Sequence, residues 1–312
     1  MNLVYSVDDN YTIPMYVSIK SFLSHHPEKS HNIFIIYKPI SKKKIMVIND
    51  LVEKFGSEII WIPFNSIAND LPKVEGFPES AFSRLFLSDL PNEIDRILYI
   101  DCDTCFNSNI NEFYNQSLEG YYLIAVLDMV KLNFRTQIGL EKNNPYYNSG
   151  MLIVNLKSWR ENNLKAKYID FIEQFDGRVP HNDQGVINAV CKGKIKTANM
   201  KYNVTTGMLS LSREKIVRHF DLEAFYSKEE FNEAIQNPSI IHYTEGVFGR
   251  PWQKGSTHPF KSLYLKYLSG SPFEGVTFSN PVRNKQKLIG LTQKYLPFTV
   301  YSKLVQLKDI VK

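Results

Sequence analysis

The sequence predicts an α/β protein whose mostly parallel sheet is covered by helices on both faces. Three observations lead there: short apolar runs, amphipathic segments of helical period alternating with them, and carboxylates where two of the runs end. "NLVYSV" opens the chain as a strand. "TIPMYVSIKSFLSHH" follows with Ile13, Val17 and Phe22 at helical spacing, Thr12 as candidate N-cap and Pro14 tolerated in the first turn. "NIFIIY" is a second strand, "SKKKIMVINDLVEKFG" a helix closed by Gly56, and "EIIWIP" a third strand. That rhythm gives parallel neighbours buried on both sides. "SAFSRLFLSDLP" predicts a helix, "RILYI" the strand after it, and "YYLIAVL" and "YYNSGMLIVNL" two more strands. "LKSWRENNLKAKYIDFIEQF" predicts one long amphipathic helix and "NDQGVINAVC" a short one. "SKEEFNEAI" is a helix leading into the strand "SIIHY". The stretch from Pro63 to Glu79, with Pro72, Gly76 and Pro78, lacks periodicity and is expected to be a ligand-facing loop.

Composition narrows the classes. A hydrophobic fraction of 43% over 312 residues, with 20 Phe and 18 Tyr, supports a real core and excludes a disordered chain. No apolar run reaches spanning length. The N-terminus "MNLVYSVDDNYT" has no basic leader or uninterrupted apolar stretch, so a cytoplasmic location is expected. Three cysteines, Cys102, Cys105 and Cys191, cannot make a disulfide framework. Cys102 and Cys105 spell C-x-x-C, but at a strand end, whereas a redox pair opens a helix. A net charge of +5 permits an anionic ligand without demanding one, and no nucleic-acid-binding motif is present.

The chemistry concentrates in "RILYIDCDTCF". Residues i and i+2 share a side of a strand, so Asp101 and Asp103 converge on one cation if strand geometry persists. Carboxylates suit Mn²⁺ or Mg²⁺, particularly an ion carrying a diphosphate. In α/β sheets, ligands collect at the carboxyl ends of the strands, where "VDDNY" supplies Asp8, Asp9 and Asn10 as well. Two chemistries compete. A phosphohydrolase of the haloacid-dehalogenase-like kind would use "DCDTC", but on its first strand and with a downstream lysine and acidic loop. A sugar-nucleotide transferase would use the pair to hold a metal against a diphosphate leaving group.

Four further stretches, in order, favour the transferase: "FSRLFLSDLP", "YYNSGMLIVNLKSWR", "HNDQGVIN" and "PSIIHYTEGVFGRPW". With "VDDNY" and "LYIDCD" they resemble the retaining family 8 glycosyltransferases, among them bacterial lipopolysaccharide galactosyl- and glucosyltransferases and glycogenin. The resemblance runs from Leu3 to about Tyr267. It implies a single GT-A-like catalytic domain, a UDP-hexose donor (galactose or glucose), Mn²⁺ or Mg²⁺, and a glycan acceptor in cell-surface polysaccharide or lipopolysaccharide synthesis. Alternatives within the same fold are extension of a protein-linked glycan and a non-catalytic nucleotide-sugar-binding homologue.

Carried onto this sequence, the resemblance places Asp8, Asp9, Asn10 and Tyr11 by the nucleoside and Arg84 on the donor. Asp101, Asp103 and His242 become the metal ligands. Asn148 and Gly150 line the sugar, with Asp183 and Gln184 beneath it, and Asp128 lies where donor and acceptor meet. Arg250 stands where relatives carry lysine before Pro-Trp, and Gly246 or Gly249 brings a backbone N–H to phosphate. The catalytic set is then Asp128, Asp183, Gln184 and Arg250. Two departures stand out: seven residues separate His242 from Arg250, two more than the family pattern, and arginine's planar fork replaces a compact ammonium.

From Arg283 to Lys312 seven Lys or Arg face one Asp among Leu, Tyr, Phe and Val, with Pro297 dividing the stretch. This divides the chain into a catalytic domain, 1–280, and a basic amphipathic tail, 281–312. Such a tail packs on the domain or rests on an anionic bilayer, making the enzyme peripheral on the cytoplasmic membrane face.

Overall fold

The computed structural model describes residues 1–28, 30–67, 79–276 and 281–295. The ligand-facing loop expected before Glu79, beyond the short helix Phe64–Ile67, and the tail from Leu296 onward lie outside the described residues. Ten strands are described: β1 (Asn2–Val7), β2 (Asn32–Tyr37), β3 (Glu58–Pro63), β4 (Arg96–Ile100), β5 (Thr104–Phe106), β6 (Leu123–Leu127), β7 (Tyr147–Asn155), β8 (Ile195–Thr197), β9 (Val204–Thr205) and β10 (Ile240–His242). Seven form one sheet in the order β3-β2-β1-β4-β7-β6-β8, and a small sheet follows the order β5-β10-β9.

The large sheet is parallel except at β7, which runs antiparallel to both β4 and β6. Leu3, Val4 and Tyr5 of β1 are all fully buried, as expected for a strand with helices over both faces. The reversal at β7 places the site. Strands β1 and β4 end at one edge of the sheet. Antiparallel β7 begins there, and β6, antiparallel to β7, ends there again. Asp101 therefore donates its N–H to Gly150 O at 2.7 Å, and Asp128 its N–H to Tyr146 O at 2.8 Å. Four separate stretches of sequence meet along a single edge.

The helix expected at "SAFSRLFLSDLP" is present as a 3-10 helix, Glu79–Asp89. Two other expectations need correction. The long helix divides into Leu156–Glu161 and Leu164–Glu173, because Asn163 adopts a left-handed conformation (φ 49°). Strand geometry also stops at Ile100: Asp101 to Asp103 form a turn, closed by the Thr104 hydroxyl donating to Asp101 O at 3.0 Å. Cys102 and Cys105 are buried beside that turn, and burial raises both thiols, Cys105 to about 12, which leaves them unreactive.

Candidate active site

The two aspartates converge through register rather than through a shared strand face. Strand β10 pairs antiparallel with β5 so that His242 lies opposite Thr104, and Tyr243 N–H donates to Asp103 O at 2.7 Å. His242 Nε2 then stands 3.1 Å from Asp103 Oδ1 and 3.7 Å from Asp101 Oδ2. One ligand atom from each of the three residues lies within 4.8 Å of the others. The other ring nitrogen, Nδ1, faces Asn203 Oδ1 at 3.0 Å. Asn203 Nδ2 donates to Asn148 Oδ1 at 2.8 Å, which fixes the amide and makes its oxygen the acceptor for Nδ1–H.

This arrangement fits a divalent ion. Nδ1 carries the proton, so Nε2 can present its lone pair, and two carboxylates supply hard oxygens. Gly150 keeps the space open: a Cβ there would lie 2.3 Å from His242 Cε1 and 2.6 Å from Asp101 Oδ2. Burial opposes a charge on His242, but Asp103 outweighs it and holds the imidazole above its ordinary pKa. Burial likewise opposes the charge on Asp103, and His242 reverses the sign, leaving its pKa lowered. A bound cation would replace the shared proton and supply Lewis-acid stabilisation to a departing diphosphate.

A continuous network joins this triad to the rest of the cleft, whose volume is about 360 Å³. Arg84 is buried. It donates to Ser149 O at 2.6 Å and to Asp101 Oδ1 at 2.9 Å, and pairs with Asp183 Oδ2 at 3.0 Å. Its guanidinium also lies over the Tyr99 ring at 4.5 Å. Asp183 is in the first turn of the helix Asn182–Val190, but its side chain turns to Arg84 and to the Ser149 hydroxyl (2.9 Å) rather than capping the helix. Burial raises its pKa, with Arg84 opposing. Gln184 donates from Nε2 to Asp128 Oδ2 at 3.1 Å and accepts at Oε1 from Ser149 N–H at 3.1 Å. Asn148 donates to the same Asp128 oxygen at 2.9 Å and accepts Gly150 N–H at 2.9 Å. Asn148, Gln184 and Asn203 each have their amide orientation fixed by their neighbours in this network.

Arg250 enters from the loop after β10. It reaches Asp103 Oδ2 at 3.4 Å, donates to Tyr243 O at 3.2 Å and to the Tyr11 hydroxyl, and lies over the Tyr11 ring at 5.4 Å. Tyr11 thereby joins the site through Arg250. Asp8 caps the 3-10 turn Asp9–Tyr11, accepting from Asn10 and Tyr11 N–H at 2.9 and 3.1 Å, and Asn10 is exposed at its rim. Asp9 turns the other way, to Lys44 Nζ at 2.7 Å on the helix Lys42–Lys54 and to the N–H of its N-cap residue Ser41 at 3.1 Å. Gly249, at φ +70°, donates its N–H to Gly246 O at 3.2 Å. The structure adds Ser149, His181, Asn203, Thr244 and Glu245 around the cleft. Ser149 and His181 stand inside the quoted stretches "NSG" and "HNDQG". Asn203 carried no signal in "KYNV" and is identified only by its contacts.

Comparison with known proteins gives the family and the fold. The model of glycosyl transferase family 8 matches residues 2–255. A Haemophilus influenzae protein is 30% identical over 221 residues, which cover 69% of this chain and 66% of that protein. The lipopolysaccharide 1,3-galactosyltransferase of Salmonella typhimurium is 21% identical over 91% of this chain and 82% of its own. Among solved structures, the galactosyltransferase LgtC in complex with donor and acceptor sugar analogs superposes with a TM-score of 0.71. It is 19% identical and covers 87% of this chain and 96% of LgtC, a likeness of fold. A mixed sheet flanked by helices, with an Asp/Asp/His cluster at its edge, is a GT-A-like fold. The chain belongs to glycosyl transferase family 8.

Proposed function

We propose that this enzyme transfers galactose or glucose from a UDP-hexose to a hydroxyl of a glycan acceptor, with retention of configuration, in cell-surface polysaccharide or lipopolysaccharide synthesis. The observation that carries the reading is the Asp101–Asp103–His242 cluster, with Arg250 on one side and the Asn148–Asp128–Gln184–Asp183 network on the other. The ion assigned to the cluster is Mn²⁺ or Mg²⁺. Arg250 supplies fixed positive charge where the diphosphate leaves. Because Gly249 N–H is engaged by Gly246 O, Gly246 is the glycine we assign to the diphosphate.

Gln184 supports a front-face route. An amide is a poor nucleophile, and this one is held through both ends by Asp128 and Ser149 N–H. The acceptor oxygen then bonds to the anomeric carbon on the side from which the diphosphate oxygen departs, and that oxygen takes the acceptor proton. Asp183, tied to Arg84 and Ser149, and Asp128, tied to two amides, are assigned to sugar hydroxyls.

A panel of nucleotide sugars, assayed for release of free nucleotide, tests the donor; preference for a GDP- or CMP-linked sugar overturns UDP. The anomeric proton coupling of the product tests retention, a β-linked product refuting it. We further propose peripheral attachment to an anionic bilayer through the C-terminal stretch. No described helix is long and apolar enough to cross a membrane. The helix Asn284–Tyr295 leaves Leu288, Leu291 and Tyr295 exposed in a basic stretch of sequence, the combination that binds such surfaces reversibly.

A further inference from the structure

The loop between His242 and Arg250 is held by residues that follow the matched family segment. Val282 is 3% exposed, and its N–H donates to Lys254 O at 3.1 Å. It sits so close to Gly249 that a Cβ on that glycine would fall 2.3 Å from Val282 Cγ2. Gln286, 8% exposed, has both ends of its amide fixed. Its Oε1 accepts Arg283 N–H at 2.9 Å, and its Nε2 donates to Gly246 O at 3.0 Å. Gly246 O therefore receives two donors, Gln286 Nε2 and Gly249 N–H. Gly249, whose positive φ no side chain readily adopts, then hands the chain to Arg250. Arg250 N–H donates to Gln253 Oε1 at 2.7 Å, closing the turn from the far side.

We infer that Gln286 and Val282 are positioning residues for Arg250, and that residues 281–286 form a strap over the diphosphate-binding loop. The inference rests on the assignment of Arg250 to the diphosphate. A loop two residues longer than the family pattern needs an additional constraint to aim an arginine at one phosphate group, and the strap provides it. Arg250 reaches the cleft only through the turn from Gly246 to Gly249, and the strap touches that turn at both ends.

Calorimetric binding of UDP and of UMP to the full-length protein with Mn²⁺ tests the proposal. Gln286→Ala and Val282→Ala are each expected to weaken UDP about tenfold, the scale of one lost hydrogen bond or packing contact acting through a charged group. UMP has no β-phosphate for Arg250 and should bind both variants as it binds the wild type. On an Arg250→Ala background the loss from Val282→Ala, which touches Gly249, should vanish, and the loss from Gln286→Ala should shrink to what Gly246 alone contributes. Equal losses for UMP and UDP, the same loss on the Arg250→Ala background, or no loss at all would each overturn the strap. If Arg250→Ala alone binds UDP as tightly as the wild type, the assignment of Arg250 fails and the strap's role falls with it. Melting temperatures without nucleotide separate these outcomes from simple unfolding, and the packing variant Val282→Ala provides a second reading should Gln286→Ala fold poorly.

Discussion

At the scale of the residue, metal chemistry depends on space as much as on ligands. Gly150 is the only residue type whose side chain leaves His242 Cε1 and Asp101 Oδ2 where they stand. Gly150→Ala is therefore expected to push one ligand aside and weaken Mn²⁺ binding about 10- to 100-fold, the range for residues that orient metal ligands. Titration of the purified variant with Mn²⁺, followed by electron paramagnetic resonance, checks this; wild-type affinity would show that the ligands have slack. Asp103→Ala removes a candidate ligand outright and leaves His242 only its more distant carboxylate, Asp101. Transfer should be lost while the circular dichroism spectrum is kept, and excess chelator should abolish wild-type transfer. Full activity in chelator contradicts metal dependence.

At the scale of the element, the segment after the Arg250 loop contains an acid-sensitive joint. His258 is buried, its Nδ1 accepts Phe260 N–H at 3.2 Å, and burial lowers its pKa to about 4. An unfolded histidine titrates near 6.5, so the unfolded chain binds the proton first. The stability His258 contributes is complete above pH 6.5 and is lost as the pH falls towards 4. The loss amounts to about 1.4 kcal/mol per pH unit in that window. His26 adds in the same direction: Nε2 accepts Ile110 N–H at 2.9 Å and Nδ1 donates to Phe22 O at 2.8 Å, a neutral tautomer that protonation breaks. Urea unfolding at pH 7.5 and 5.0 should show the drop, and His258→Gln should reduce it. Identical slopes in both proteins would remove His258 from the account. The break at Asn163 makes a second, smaller test. Asn163→Ala forces an alanine into the left-handed region and should cost about 1–2 kcal/mol, whereas Asn163→Gly should cost little.

At the scale of the whole molecule, the proposed ligand and the proposed membrane contact are both testable on the folded protein. If UDP with Mn²⁺ binds only the assembled edge of the sheet, saturation at 100 times the Kd should stabilise the protein by about 2.7 kcal/mol. A rise in melting temperature that chelator cancels is the expected result, and a rise indifferent to chelator would separate nucleotide from metal. Sedimentation with anionic vesicles addresses the tail. Leu288 and Leu291 are 62% and 54% exposed, so replacing both with serine leaves the strap's contacts in place. The double variant should bind less at low salt, and the wild type should dissociate as salt screens its basic residues. Equal binding by the two proteins would assign these leucines no role at the bilayer.

The alternation of β1, β2 and β3 with the two helices between them was determined by the sequence alone, because apolar periodicity is a local property of each segment, whereas the short strands β5, β8 and β9 carry too few residues to show one. So were Asp101 and Asp103 as candidate ligands, since carboxylates ending a buried strand announce themselves by type and place. Tertiary structure decided what completes them. Asp101 and Asp103 leave the strand at Ile100, and only the pairing of β10 with β5 sets His242 opposite Thr104 and within reach of both. The reversal of β7 brought Asn148 and Gly150 to Asp101, a pairing between residues some fifty positions apart that no local pattern encodes. Asn203 fixes the imidazole from a stretch without a motif, and Asp9, spelled beside Asp8, turns away because Lys44 lies on the neighbouring helix. Periodicity and residue type are written along the chain, whereas register and orientation arise only when distant segments pack.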